Sequence, residues 1–367
     1  MRETMKKVSI TPDVTGTVIQ YQISKPTLKG LPILAGKESV ANHCMVPTHV
    51  LSYFQHNKYG HSHSMGGVTA YKKFTIRKKD GSKRVLVSPN QILKVYQRWL
   101  LDNIISKIPI SPIAMGFVKG LSYIDVARMH TNKKLVISID IHNFFGSVPY
   151  SKLLKIFKKE TGYSGEISHY LLDLCQLNGF LPQGSPASPA LANLYMKNAD
   201  EEIINAFPGW TITRYADDVT LSTTDSTDVD PISVVETLRN ILKKYRLKLN
   251  DRKTKIMYSD ERQVVMGLVV NKKVNPLRRK YKNLRASIHN VVTKQDYGRD
   301  YKDDPAGWLR HTKGVMANLR RVNPDKAAKL EDEFAIAQEI VENYLSQYHA
   351  PVQLEDTTNS NTAQTTV

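Results

Sequence analysis

Three acidic side chains stand where metal-assisted phosphorus chemistry would need them. Asp140 ends the apolar run Leu135–Ile139, and Asp217 and Asp218 lie between the β-rich runs Thr211–Ala216 and Val219–Ser222. The first pattern reads as a short buried strand, the second as a hairpin with an acidic tip. Carboxylates at a strand end and a hairpin tip can converge on one patch of rigid sheet. Two or three suffice for Mg²⁺, which takes oxygen ligands and retains several waters. Two such ions ~3.5–4 Å apart serve displacement at phosphorus, one at the attacking oxygen and one at the leaving group. Taken singly, each acid also has a plainer reading, because Asp is a common cap and turn residue.

The elements that must position these acids are legible in outline. Tyr71–Ile76 alternates apolar and basic residues, which predicts a half-buried strand. Lys79-Asp80-Gly81-Ser82 has hairpin-turn chemistry, and Arg84–Val87 returns as a second strand. Pro89 stops that strand, and Asn90 can cap an amphipathic helix from Gln91 to about Lys107. Further helices are expected from Tyr150 to about Lys158, over Ile167–Gln176, from Ala190 to about Ile204, and over Ile232–Tyr245. Val264–Val270 reads as a strand, and the chain beyond Pro276 as basic and helical to about Tyr348. His61 and His63 sit in a Gly-rich stretch with no Cys or carboxylate partner nearby, which favours a surface loop over a metal site. Glu355–Val367 is rich in Thr, Asn, Ser and Gln, lacks core formers, and is expected to be disordered.

Composition narrows the class. The 367 residues carry 52 Lys and Arg against 34 Asp and Glu, a net charge of +18. A field of that sign concentrates polyanions such as nucleic acid. The basic residues are spread over Lys72–Arg84, Lys243–Lys255 and Lys272–Arg321, so they are not a simple tail. Two cysteines, Cys44 and Cys175, make neither a zinc cluster nor a disulfide framework. No signal peptide and no apolar run near the ~20 residues of a membrane helix are evident, so a cytoplasmic protein with no membrane partner is expected.

Five motifs in order now carry a resemblance. Tyr215-Ala-Asp-Asp218 with its β flanks resembles the palm hairpin of reverse transcriptases, and Asp140-Ile-His-Asn-Phe-Phe145 resembles their first palm motif. Leu181-Pro-Gln-Gly-Ser-Pro-Ala-Ser-Pro189, leading to Leu191-Ala-Asn193, is similar to their Pro-Gln-Gly motif. Phe74–Arg84 resembles their fingers hairpin, and Leu249-Asn-Asp-Arg-Lys-Thr254 their later palm motif. The resemblance implies an α+β, right-hand polymerase fold with fingers, an antiparallel-sheet palm and a helical thumb. The boundaries expected are an N-terminal extension, partly helical, over 1–70, fingers over 71–134, palm with finger insertions over 135–276, helical RNA-binding thumb over 277–350, and a disordered tail over 351–367. The palm core would include Ile137, Ile139, Val219 and Leu221 only where strand parity turns them inward.

The same resemblance assigns residues to tasks. Asp140, Asp217 and Asp218 would be catalytic, and with Ile141 would form the metal site for two Mg²⁺ ions, with Mn²⁺ as a substitute. Nucleotide binding would fall to Lys79, Lys83, Arg84, Phe145, Gln183 and Lys253. Phe145 would exclude a ribose 2′-hydroxyl, and Phe144 would be a core aromatic. Lys253 matches a lysine that protonates pyrophosphate. Arg278, Arg279, Lys280, Lys282 and Arg285 are dense enough to grip an RNA backbone. Trp308 and Tyr301 would either stack on bases or form a small helical core.

Ala114-Met-Gly-Phe-Val-Lys-Gly-Leu-Ser122 is similar to a stretch of bacterial reverse transcriptases, and Ala127 and His130 match the retron Asn-Ala-x-x-His motif. Val126, Leu121 and Met266 depart from the retron pattern, so a neighbouring defence-associated class also fits. The implied function is RNA-directed DNA synthesis on a dedicated non-coding RNA, in antiphage defence, with dNTPs as substrates, cDNA as product and an effector protein as partner. A group II intron-like reverse transcriptase and a catalytically weak RNA-binding scaffold are the alternatives.

Overall fold

Capping residues and left-handed turns set many element boundaries in this chain. Asn90 accepts from Ile92 N at 2.9 Å, Asp230 from Ile232 N and Ser233 N, and Asp304 from Gly307 N, each satisfying amides that the first helical turn leaves unpaired. The computed structural model describes residues 26–58, 69–77, 81 and 83–348. Its architecture is α+β, divided into two compact units.

The first unit runs to Met266 and takes in Val270–Lys272. Its elements are α1 (Lys37–Cys44), α2 (Thr48–His56), β1 (Tyr71–Arg77), β2 (Lys83–Pro89), α3 (Gln91–Asn103), α4 (Tyr123–Met129) and β3 (Leu135–Asp140). There follow α5 (Phe144–Ser147), α6 (Tyr150–Thr161), α7 (Gly165–Asp173), α8 (Ser188–Ala206), β4 (Thr211–Tyr215), β5 (Asp218–Thr223), α9 (Pro231–Lys244), β6 (Lys255–Tyr258) and β7 (Val264–Val265). The central sheet has the order β4-β5-β3-β6, with antiparallel neighbours throughout.

Strand parity gives this sheet two unlike faces. Leu135, Ile137 and Ile139 on β3, Val219 and Leu221 on β5 and Ile212 on β4 share one face and are buried. They join one core with Leu191, Leu194, Leu238 and Leu242 of α8 and α9. Each such burial stabilises by about 1.5–3 kcal/mol, so a one-residue slip of register is strongly disfavoured. The opposite face carries Asp140, Ser138, Asp218, Thr220, Ser222 and Thr213. Against it sits His130, just past α4, fully buried between Ser222 Oγ at 2.7 Å and Thr213 Oγ1 at 2.8 Å.

Two local expectations need correction. The β1–β2 hairpin forms, but β1 is not half-buried: Phe74 and Ile76 are exposed, while Tyr71 and Pro89 at the base are buried and Leu86, Val87 and Ser88 on β2 are half-buried. The expected strand over Val264–Val270 is broken at Met266 and Gly267, both with positive φ, leaving β7 and β8 (Leu268–Val269) as two short strands. The turn residue Lys79 and the stretches holding His61, His63 and 351–367 lie outside the described residues.

The second unit holds β8 and everything from Lys273 onward. It comprises β8, β9 (Asn275–Pro276), α10 (Arg278–Lys294), α11 (Pro305–Val322) and α12 (Pro324–Tyr348). Leu284, Ile288, Met316, Leu319, Phe334 and Val341 form its core. Trp308 belongs to that core: it is 1% exposed, and its Nε1 donates to Ser287 Oγ at 2.9 Å. Base stacking by Trp308 is therefore ruled out, and Tyr301 is partly buried against the same cluster.

Burial, with Lys133 nearby, pulls His130 from its ordinary value near 6.5 down to about 3. Below pH 6.5 the unfolded chain takes up a proton that the folded chain refuses. Stability should therefore fall as pH drops through that window, by up to about 1.4 kcal/mol per pH unit, and be unaffected above it. His130→Asn keeps a donor and an acceptor but cannot titrate. Urea midpoints measured from about pH 7 to about pH 4 should fall less steeply in the variant than in wild type. Equal slopes would contradict the assignment.

Candidate active site

The pairing of β3 with β5 sets Asp140 directly opposite Asp218. Ile141 N donates to the Asp217 carbonyl at 2.9 Å, which closes the tip of the β4–β5 hairpin onto the end of β3. Ala216, at φ 57, makes the tight turn that precedes the two acids. The structure thus brings Asp140, Ile141, Asp217 and Asp218 together at one edge of the sheet. The Ile141 side chain is buried and its amide is occupied, so only its carbonyl oxygen could serve an ion.

The Leu249–Thr254 motif grips Asp140 from the other side. Asn250 N donates to the Asp140 carbonyl at 2.8 Å, Asn250 Nδ2 to Asp140 Oδ1 at 2.9 Å, and Lys253 Nζ to Asp140 Oδ2 at 2.7 Å. The contact to Asp140 lifts the Lys253 ammonium above its usual range. Burial pushes the Asp218 carboxyl up to about 6, and the charges of Asp217 and Asp140 add to that. Asp217 is also raised, by burial first and by Asp140 as well, with Lys253 and Arg84 opposing.

Among the described residues, no three His, Cys, Asp or Glu side chains form a ready-made cage for an ion. Asp140 spends its oxygens on Asn250 and Lys253 instead. The donor set nevertheless fits a divalent cation. Partly buried, mutually repelling carboxylates are hard oxygen ligands whose ionised form a cation would stabilise.

A cleft of about 1360 Å³ opens beside these acids, lined among others by Asp140, Asp217, Lys83, Arg84, Phe145, Gln183 and Lys253. Asp218 is not part of the lining. Phe144 is buried as expected, 5.4 Å ring to ring from the half-buried Phe145. Gln183 is placed by its backbone, whose carbonyl accepts from Val87 N at 2.8 Å. A Cβ on Gly184 would come within 2.6 Å of the Val87 carbonyl oxygen, so no side chain is tolerated where the Pro-Gln-Gly loop meets β2. Arg278, Arg279, Lys280, Lys282 and Arg285 belong to the second unit and are all exposed on α10, which buries Leu284, Ile288 and Val291.

Sequence reasoning missed several contributors. Lys94 and Arg98 also line the cleft, from the side of α3 away from its buried Leu93, Tyr96 and Leu100. Their i,i+4 spacing was the available signal. Arg214, on β4 three residues before Asp217, is wholly buried. Its guanidinium forks onto Asp200 at 2.8 and 2.7 Å, donates to Asn193 Oδ1 at 2.9 Å, and reaches the Ala216 carbonyl at 3.3 Å. Burial pushes the Asp200 carboxyl upward, and Arg214 pulls against that. Asp200 sits on α8 and Asn193 about two turns earlier on the same helix, so this network ties that helix to the turn carrying Asp217 and Asp218.

Residues 76–291 match the family described as reverse transcriptase (RNA-dependent DNA polymerase). The chain is 33% identical over 269 residues to the Retron Ec86 reverse transcriptase of Escherichia coli, covering 72% of this chain and 82% of that one. It is 28% identical over 325 residues to the Retron Mx65 reverse transcriptase of Myxococcus xanthus, covering 82% and 71%. Among solved structures, a foamy viral protease-reverse transcriptase in complex with double-stranded DNA aligns with a TM-score of 0.43 at 16% identity, over 75% of this chain and 43% of the viral one. Telomerase from Candida albicans with a fragment of telomeric RNA aligns at 0.40 and 12% identity, over 74% of this chain and 55% of that one. The chain therefore spans about half the length of each of these two structures.

The Arg214 network yields a stability prediction. Asp200→Ala leaves a buried guanidinium without its counter-charge, which should cost about 3–5 kcal/mol. The urea midpoint of the full chain should drop accordingly. A loss under about 1 kcal/mol would show that the pair is not the buried unit described.

Proposed function

The chain belongs to the reverse transcriptase family, RNA-dependent DNA polymerases of the retron type, and on that premise we propose that Asp140, Asp217 and Asp218 catalyse cDNA synthesis on a dedicated non-coding RNA. The observation that supports this most is the in-register pairing of Asp140 with Asp218, beside a basic cleft that Asp140 and Asp217 line. With the Ile141 carbonyl, the three acids would hold a pair of divalent cations, Mg²⁺ or Mn²⁺ in its place. Those ions, when bound, neutralise charge at the attacking oxygen and at the leaving pyrophosphate.

The remaining steps fall to the chain's own groups. Lys83 and Arg84 face the triphosphate from β2, where the planar Arg fork suits phosphate oxygens. The ring of Phe145 stands where a ribose 2′-hydroxyl would need room, which selects dNTPs by exclusion. The backbone of Gln183 and Gly184, joined edge-on to β2, positions the template base. Lys253, kept protonated beside Asp140, holds a proton for the departing pyrophosphate. In the second unit the exposed basic face of α10 would grip the RNA backbone. Among the described residues no helix is long and apolar enough to cross a membrane. A cytoplasmic enzyme acting in antiphage defence with an effector protein is the setting we infer, by analogy with its retron relatives.

Two measurements test this reading. Replacing Asp217 and Asp218 together with Ala should lower extension of a DNA primer on an RNA template by at least about a thousand-fold. Extension at the wild-type rate would refute the assignment. Phe145→Ala should raise the use of ribonucleotides relative to deoxyribonucleotides by roughly tenfold or more, read as the ratio of kcat/KM values. An unchanged ratio would remove Phe145 from that role.

A further inference from the structure

The stretch from Ile113 to Phe117 is unaccounted for by the roles above, yet it is fastened to the catalytic turn. Arg214 N donates to the Ile113 carbonyl at 2.7 Å, and Met115 N and Gly116 N both donate to the Arg214 carbonyl, at 2.8 and 3.3 Å. Asn193 Nδ2 holds the Gly116 carbonyl at 2.8 Å. A Cβ on Gly116 would fall 2.6 Å from Ala216 N, so the two backbones touch at the residue before Asp217.

The residue delivered by this arrangement is Phe117. Its φ is 62, a left-handed conformation that a bulky side chain rarely adopts. Its ring is 53% exposed, so burial does not repay that strain. Instead the ring packs at 6.0 Å and 37° against Tyr215 and lines the cleft together with Asp140 and Asp217. An exposed aromatic held in a disfavoured backbone state beside catalytic acids is where strain and function coincide.

We propose that Phe117, backed by Tyr215, forms an aromatic ledge that contacts the 3′-terminal nucleotide of the growing strand. The inference rests on the reverse-transcription reading, because the oxygen that attacks must lie at the carboxylates. The nucleotide bearing that oxygen then lies against whatever flanks them. This end changes its base at every addition, so its contact must tolerate any sequence. Aromatic faces do, since every base and sugar offers an apolar surface.

The test uses the full chain and a DNA primer annealed to an RNA template. Phe117→Ala should raise the Kd for this duplex by about 5- to 150-fold, the range for loss of one stacking contact, and leave the KM for dNTP nearly unchanged. Phe117→Trp should restore duplex binding. The melting midpoint of Phe117→Ala should equal that of wild type. A primer ending in 5-iododeoxyuridine should, on irradiation, form its adduct on the peptide containing Phe117 or Tyr215. Unchanged duplex affinity in Phe117→Ala, an adduct elsewhere, or a lowered melting midpoint that Trp does not rescue would overturn the ledge. Wild-type protein that binds and crosslinks the duplex but extends nothing would count against reverse transcription and leave the ledge standing.

Discussion

The site depends on one enforced proximity: strand pairing sets Asp140 against Asp218, with Asp217 next in the chain. Like charges so placed repel, and partial burial makes the repulsion worse. Nothing in the acids themselves would bring them together. The other face of the same strands does so. Ile137 and Ile139 on β3 face Leu221 and Val219 on β5, and all four are buried against α8 and α9. Because side chains alternate, seating that apolar face obliges Asp140 and Asp218 to share the opposite one. The core thus holds the acids in place against their own repulsion.

Two polar clamps then remove the freedom that remains. On the β3 side, Asn250 and Lys253 hold both oxygens of Asp140. On the β4 side, Arg214 binds Asp200 and Asn193 and reaches the carbonyl of Ala216 in the turn itself. A buried ion pair adds little net stability once its desolvation is counted, but breaking it is costly, so such a pair serves to fix geometry. His130 does similar work without charge, bridging β4 and β5 through Thr213 and Ser222 in its neutral form. The region around the acids is therefore held by specific polar contacts, where a purely apolar packing would permit small shifts.

What could be read from the sequence divides along physical lines. Short-range chemistry was legible: Asn90 caps α3 and Asp217-Asp218 tips a hairpin. Whether Ile137, Ile139, Val219 and Leu221 all turn inward hung on parity, and the strand pairing puts all four on one buried face. Long-range partners were not. Nothing near Arg214 in the chain announces that Asp200 lies against it, because a helix and a strand must first pack. Alternation in β1 predicted a buried face, but alternation reports only which residues share a side, and among the described residues Phe74 and Ile76 on that side stay exposed. Trp308 shows the converse: an aromatic in a basic helical stretch suits either a core or a nucleic-acid contact, and only packing against Ser287 and Tyr297 decides.

The charge distribution poses a problem that the site resolves. A net charge of +18 draws polyanions to this protein. Yet the cleft they would enter has carboxylates among its lining residues, and phosphate meets carboxylate with repulsion. Arg84 and Lys253 partly offset this, since both lower the tendency of Asp217 to hold a proton. They do not cancel it: burial first, and the neighbouring acids, keep Asp217 raised despite Lys253 and Arg84 and Asp218 raised despite Lys253 and Lys255. Monovalent side chains near a charge cluster weaken the repulsion. They do not convert carboxylate and phosphate into ligands of a common centre. A divalent cation does, since oxygen ligands from both sides can share it. Under the function proposed above, such ions between the substrate and the acids at the end of β3 and the tip of the β4–β5 hairpin would reconcile those acids with a basic, polyanion-attracting protein.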